Sequence, residues 1–349
     1  MPPTDTSGET DLANTAPHFL IVTPSYNQGQ YLEETLKSVL RQDYAERTYV
    51  VADGESTDDS HRILKRHEGD IDRIYWGPDA GQSDAIATAV DDFARRHPGD
   101  LHNVWFNWIN SDDRLTPSTL SRLAQTIRQN QNSRPPDALA LNVLAFGQQQ
   151  YVMPNRLLSA AAMIRDDSYR FAQPGLWMRL DQYQSCGGID RRFQYGFDWD
   201  LWVRYLAQFP NVKYIEATGA EFRLHEASKT IVETSGEPAK NRFEAEHDLI
   251  RDKLSSRLPP PLADAAIWGG RRRRWHQELA DLMDDPHASP LKTAGQIMHR
   301  MLQDRQACGS RRSVLSIGRL LSRYVRPGMR QRMMTDAARA PNQRRNGGV

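Results

Sequence analysis

Trp105-Phe-Asn-Trp-Ile-Asn-Ser-Asp-Asp-Arg114 is an apolar, strand-like run that ends in two adjacent carboxylates, Asp112 and Asp113. In an open α/β fold a strand delivers such side chains to the carboxyl edge of a parallel sheet, where ligands bind. Paired carboxylates there suit a hard divalent cation bridging phosphate oxygens. Toward the N-terminus the same unit recurs. His18 to Thr23 is a short apolar run, Pro24 to Gly29 is turn-rich, and Tyr31 to Arg41 carries Leu32, Leu36 and Leu40 at helical spacing. Thr48 to Ala52 predicts a second strand that ends in Asp53-Gly-Glu-Ser-Thr-Asp-Asp-Ser60, where Ser56 or Thr57 can cap the next helix. Arg73-Ile-Tyr-Trp76 predicts a third strand, Gly77 to Gln82 a loop, Ser83 to Arg95 a helix, and Asn103 to Ile109 the fourth strand. This alternation predicts an α/β fold with a mostly parallel, doubly wound sheet and flanking helices.

Toward the C-terminus the pattern loosens. Ala138 to Phe146 predicts a strand, and Gln173-Pro-Gly-Leu-Trp-Met-Arg179 a loop entering another element. Asp198 to Gln208 is a helix with Leu201, Trp202, Tyr205 and Leu206 on one face, and Lys213 to Glu216 and Glu221 to Leu224 read as two late strands. Leu258-Pro-Pro-Pro261 marks a boundary, beyond which the chain reads as helical and arginine-rich. The expected organisation is a flexible N-terminus over 1–17, a catalytic-type domain over 18–254, a basic, mainly helical extension over 255–341, and a disordered tail over 342–349.

With 349 residues, 39% of them hydrophobic, the chain can bury a large core. Two cysteines far apart in sequence, Cys186 and Cys308, exclude a disulfide framework and fit a reducing compartment. No apolar run approaches the ~20 residues of a membrane span, and the polar N-terminus lacks a leader pattern, so the expected location is cytoplasmic. The net charge of +1 conceals an asymmetry: residues 255–349 hold 18 Lys/Arg against 7 Asp/Glu, leaving the first 254 residues acidic. Such a tail suggests an anionic surface as partner. Around Arg311 to Arg326, Val314, Ile317, Leu321 and Tyr324 form one helical stripe flanked by arginines, which fits either peripheral attachment to the inner face of the membrane or packing on the domain. Arg271 to Arg274 has no accompanying nucleic-acid-binding motif, so no nucleic-acid partner is expected.

Four polar clusters follow apolar runs: Asp53, Asp79-Ala-Gly-Gln-Ser-Asp84, Asn110 to Asp113, and the region of Asp198. All can meet on one sheet edge. Each also has a plainer reading. Asp53-Gly54 serves equally as a turn, Asp112 and Asp113 as a helix-capping loop, and Asp198 and Asp200 as complements to a helix dipole. His225-Glu-Ala-Ser-Lys229 offers an imidazole for a metal and an ammonium for phosphate.

Thr23-Pro-Ser-Tyr-Asn27, Val50 to Asp58, Asp79 to Ala85, Trp108 to Asp113, Phe197 to Arg204 and Arg223 to Lys229 together resemble a family 2 glycosyltransferase of the inverting GT-A type, over roughly Phe19 to Lys229. The resemblance implies a donor site formed by Thr23, Pro24, Ser25, Tyr26, Asp53, Gly81, Gln82, Asp84, Asn110, Ser111, Asp112, Arg223 and Lys229. It implies a Mn²⁺ or Mg²⁺ cofactor held by Asp112, Asp113 and His225, with Asn110 standing where the family's metal motif has its first acid. Asp198 takes the place of the base that deprotonates the acceptor. Gln173, Pro174, Trp177 and Trp199 fall on the acceptor side, with Trp202 as a further stacking candidate. The implied partners are a nucleotide-sugar, UDP-linked by preference, and a glycan or lipid-linked acceptor of surface-polysaccharide or glycolipid synthesis. The competing expectation is a nucleotide-sugar-binding subunit without turnover. A dinucleotide-dependent oxidoreductase is disfavoured because no Gly-x-Gly-x-x-Gly follows the first strand.

Overall fold

The buried apolar runs of the N-terminal half assemble the site-bearing half of one sheet. β1 (His18–Ser25), β2 (Arg47–Asp53), β3 (Arg73–Trp76) and β4 (Val104–Trp108) lie side by side in the order β3-β2-β1-β4, all parallel. From Phe19 to Ser25 every residue of β1 is buried, as a strand covered on both faces requires. The computed structural model describes residues 16–99, 101–130, 135–156, 158–165, 171–225, 237–284, 289–304, 308 and 314–318. The connecting helices are α1 (Gly29–Leu40), α2 (Ser60–His67) and α3 (Gln82–Arg96). α1 turns Leu32, Thr35, Leu36 and Val39 inward, while Leu40, the third leucine of the spacing that predicted the helix, is half-buried.

Beyond β4 the sheet continues through β8 (Leu176–Arg179), β6 (Ala138–Gly147), β9 (Val212–Leu224) and β5 (Arg114–Leu115), with β7 (Tyr151–Met153) paired to β6. β8 runs antiparallel to both β4 and β6, whereas β6 and β9 are parallel. The two late strands expected at 213–216 and 221–224 are one strand. Shifts of register against β6 on either side of Asn142 bulge β9 and break the alternation that a regular strand would show. The segment at 173–179 is a 3₁₀ turn, Gln173–Gly175, leading directly into β8. The remaining helices are α4 (Thr119–Gln129), α5 (Ala160–Arg165), α6 (Leu180–Ser185), α7 (Phe197–Gln208), α8 (Glu237–Arg257), α9 (Pro260–Asp284) and α10 (Pro290–Gln303).

The chain divides into two compact units, Met1–Ala265 and Ala266–Val349. Leu254, where the charge along the chain changes, lies inside α8, and the Leu258-Pro-Pro-Pro261 run falls where α8 gives way to α9. The first unit packs Phe19, Ile21, Tyr49, Val51, Trp105, Leu139 and Trp177 into its main core. The second packs Trp275, Leu279, Ala294 and Ile297 around Cys308. Among the described residues no helix is long and apolar enough to cross a membrane. Residues 1–15 and 342–349 lie outside the described residues, as does most of Arg311 to Arg326.

Candidate active site

Hydrogen bonds lock the loops that leave β1 and β2 to each other. Asn27, held at φ 52°, accepts from the amide of Thr57 through Oδ1, while its own amide donates to Ser56 Oγ. Ser56 donates from its amide and its hydroxyl to the two oxygens of Asp53, both at 2.8 Å. The amide of Gly29, opening α1, donates to Asp58 Oδ2 at 2.8 Å. These bonds fix the rim of a cavity of about 830 Å³ at the carboxyl ends of β1, β2 and β4. That is the edge where doubly wound sheets bind ligands, and the size suits a nucleotide with a sugar.

Of the residues that the resemblance assigns to a donor site, Pro24, Ser25, Tyr26, Gly81, Gln82, Asn110, Ser111 and Asp112 line it. Tyr26 stands 61% exposed, and the Ser25 hydroxyl is buried without a hydrogen-bond partner. Both observations leave capacity for a ligand. Sequence reasoning missed Gln28, Gly54, Glu55, Thr57, Pro78, Ala85, Gln194 and Phe222 in the lining, and placed Asp79 in a cluster without a role. Gln194 and Phe222 come from distant parts of the chain, and no local pattern marks them.

Asp112 and Asp113 part company in the turn between β4 and β5. Asp112 lines the cavity, with Oδ2 3.0 Å from His225 Nε2, and the imidazole is backed by the Tyr31 ring at 4.7 Å. Asp113 points inward, fully buried: Oδ1 accepts from the Arg223 amide at 3.0 Å, and Oδ2 from Asn110 Nδ2 at 3.3 Å. Burial, reinforced by the charge of Asp112, pushes the Asp113 carboxyl well above its ordinary range. The expectation that Asp113 ligates a metal therefore fails on geometry. Asn110 is committed as well, its Oδ1 accepting from Gln82 Nε2 at 2.6 Å.

Several other expected contacts are structural. Thr23 is buried in the sheet with Oγ1 on the Tyr49 hydroxyl. Asp84 turns from the cavity, with the Ala80 amide and the Arg191 guanidinium holding its carboxyl below the usual carboxylate range. Arg223 staples β9 to the end of β4, donating to the Asp112 carbonyl and to Glu34 between the Tyr31 and Phe146 rings. Asp53 is 3% exposed, with both oxygens on Ser56, and borders a smaller cavity of about 320 Å³ together with Trp76 and Lys65. The acceptor-side residues are buried too. Gln173 donates to Asn107 Oδ1 and the Trp108 carbonyl, and the Pro174 carbonyl accepts from Asn107 Nδ2. Trp177 packs edge-on to Phe19 in the core. Trp199 stacks on His247 and donates to the Met163 carbonyl, and Trp202 is in the core. Aromatic faces so covered cannot stack on a sugar. Lys229 lies outside the described residues.

Asp198 occupies the first turn of α7, partly exposed, its Oδ1 accepting from the Trp199 amide at 2.7 Å. A carboxylate there is stabilised as an anion by the helix dipole. Two residues on, Asp200 is completely buried and paired with Arg204 at 2.6 Å and Lys253 at 2.8 Å, which ties α7 to α8.

Residues 20–149 match the family model described as Glycosyl transferase family 2. The chain is 25% identical over 117 residues to a GalNAc(5)-diNAcBac-PP-undecaprenol beta-1,3-glucosyltransferase of Campylobacter jejuni; the match covers 31% of this chain and 34% of that protein. It thus spans about a third of that relative's length. S. aureus TarS in complex with UDP-GlcNAc superposes with a TM-score of 0.57 at 16% identity, over 74% of this chain and 73% of that one. The mannosyltransferase PcManGT of Pyrobaculum calidifontis, in complex with GDP-Man and Mn²⁺, gives 0.51 at 14% identity, over 87% and 86%. At these identities the likeness identifies the fold, a GT-A α/β sheet with flanking helices.

Proposed function

For a chain whose residues 20–149 belong to glycosyl transferase family 2, we propose inverting transfer of a sugar from a nucleotide-sugar to a hydroxyl of a glycan or lipid-linked acceptor, in cell-surface polysaccharide synthesis. The observation that carries it is the convergence on one cavity of an exposed aromatic face, a buried hydroxyl without a partner, and a carboxylate facing an imidazole: Tyr26, Ser25 and Asp112 with His225. Tyr26 would stack on the base. Ser25 would donate to the nucleotide. UDP is the favoured nucleotide, since TarS carries UDP-GlcNAc, and PcManGT with GDP-Man is the counter-example to test.

The donor set fits a divalent cation. A carboxylate oxygen on the cavity wall and an imidazole nitrogen 3.0 Å from it would suit Mn²⁺ or Mg²⁺, with other ligands completing the shell. Among the described residues no group of three or more His, Cys, Asp or Glu is arranged to hold a metal, so Asp112 and His225 would carry the protein's share. A bound cation would neutralise charge growing on the departing diphosphate. Asp198 would take the proton from the acceptor hydroxyl as that oxygen attacks the anomeric carbon opposite the nucleotide. The basic region beyond Leu254, with 18 Lys/Arg against 7 Asp/Glu, would hold the protein at an anionic membrane where lipid-linked acceptors reside.

Melting curves with UDP-, GDP- and dTDP-sugars, with and without Mn²⁺, test donor binding, because a ligand of the native state raises Tm. A metal-dependent shift with one nucleotide class is expected, kept by Asp198→Asn while transfer falls by about 10²–10⁴-fold. A donor-binding subunit without turnover would give the shift in both proteins and transfer in neither.

A further inference from the structure

Glu246, in the middle of α8, makes an unusual bond for a surface helix. Its Oε2 accepts from the amide of Gln194 at 2.7 Å, and its Oε1 from the amides of Tyr195 at 2.7 Å and Gly196 at 2.8 Å. Three successive backbone N–H groups converging on one point form an anion-binding concavity, and here the chain fills it with its own side chain. Charge-assisted hydrogen bonds of this kind are roughly twice as strong as neutral ones. The approach is close: a Cβ at Gly196 would stand 2.7 Å from Ile250 Cδ1 and 3.1 Å from His247 Nε2, both on α8.

The clamped triplet joins two parts of the proposed site. At one end the Gln194 side chain lines the cavity and donates from Nε2 to the Ala80 carbonyl at 2.7 Å, against the Gly81 turn. At the other, Gly196 is the residue before α7, whose first turn carries Asp198. None of the three amides can be satisfied by α7 itself, since they precede its first turn. The ion pairs of Asp200 with Arg204 and Lys253 anchor the next residues of α7, while Glu246 accepts from all three amides of the 194–196 turn.

We infer that Glu246 is a positioning residue: its carboxylate fixes the 194–196 turn, and through it the placement of Asp198 relative to the donor bound beside Gln194. This rests on the role proposed above for Asp198. A base displaced by about 1 Å can lose on the order of a hundredfold in rate, while donor affinity, set mainly by loops of β1, β2 and β4, is largely kept. An amide in place of the carboxylate has one acceptor oxygen for three N–H groups, so Glu246→Gln must release at least part of the turn.

The full-length protein and its Glu246→Gln and Glu246→Asp variants are compared in two ways at a temperature where all remain folded. Hydrogen exchange of the amides over 194–200 is expected to speed up at least about tenfold in Glu246→Gln, with Glu246→Asp in between; exchange equal to wild type overturns the clamp. UDP release from UDP-GlcNAc with Mn²⁺ is expected to show kcat lowered about tenfold or more with Kd for UDP within about threefold; unchanged kcat despite loosened amides overturns the positioning role. Asp198→Asn is the control for the parent assignment. It should lower UDP release by about 10²–10⁴-fold without altering exchange over 194–196, and if release persists there, the base assignment falls while the exchange data still decide the clamp.

Discussion

Two hydroxyls on one face of β1 separate the scaffold from the site. Thr23 Oγ1 is paired with the Tyr49 hydroxyl at 3.0 Å inside the sheet, whereas Ser25 Oγ, equally buried, has no partner and meets the cavity. Ser25→Ala should therefore leave the free protein as stable as before, or slightly more so, while weakening nucleotide binding about five- to tenfold, the worth of one hydrogen bond near 1 kcal/mol. Thr23→Val should do the reverse, costing about 1–3 kcal/mol by orphaning Tyr49, with nucleotide affinity unchanged. Calorimetric titration with UDP alongside thermal melts separates the two, and matching profiles would refute the division. Gly81 offers a second test. Its φ of +112° with ψ of 179° is a conformation reserved for glycine, and an added Cβ would overlap Gln194 Oε1. Gly81→Ala should cost about 1–3 kcal/mol and weaken donor binding together, a joint loss that an ordinary surface glycine would not show. At this scale residue types were legible and their directions were not. The pair sits in a tight turn between β4 and β5, closed by the Asp113 amide donating to the Asn110 carbonyl, so Asp112 reaches the cavity while Asp113 turns into the core, and nothing in the pair Asp-Asp says which is which.

Elements are held to one another by charge as well as by apolar packing. Lys253 of α8 sits between Asp190 and Asp200, 2.8 Å from each, and Arg192 also meets Asp190. Arg192 and then Lys253 hold the Asp190 carboxyl far below its ordinary range. A carboxylate whose folded-state pKa is depressed contributes stability that is present above its unfolded value, near 4, and lost as pH falls through the folded one. Asp190→Asn should accordingly lower Tm at pH 7, and the gap to wild type should narrow as pH falls below about 4. A gap independent of pH between 7 and 3 would mean that Asp190 acts by packing alone. Strands and helices as far as β4 were legible because each carries a regular apolar run or period of its own, whichever element it pairs with or packs on. β9 was not, since its bulges against β6 mask one long strand as two. Trp177 and Gln173 looked like a ligand loop for a similar reason: β8 inserts between β4 and β6, a long-range pairing that no local pattern announces.

Over the whole molecule, charge and packing divide the chain at different places. Composition turns basic after Leu254, within α8, whereas the division into compact units falls at Ala265 and Ala266, within α9. Composition records what a surface faces, whereas unit boundaries record where contacts stop crossing, so only the second predicts which piece can be removed. Every residue lining the cavity, together with Asp198 and Glu246, lies in the first unit. A chain ending at Ala265 should therefore keep the Tm rise given by a nucleotide-sugar with Mn²⁺. It should also lose attachment to vesicles of phosphatidylglycerol, which the full chain should bind at about 0.05 M salt and release near 0.5 M, where screening shortens electrostatic reach to a few ångströms. Co-sedimentation at the two salt levels is the measurement. Equal binding by both chains would move the membrane contact onto the first unit, and no binding by either would leave the arginines as a solvated face; loss of the nucleotide shift on truncation would instead show that the second unit is needed to complete the site.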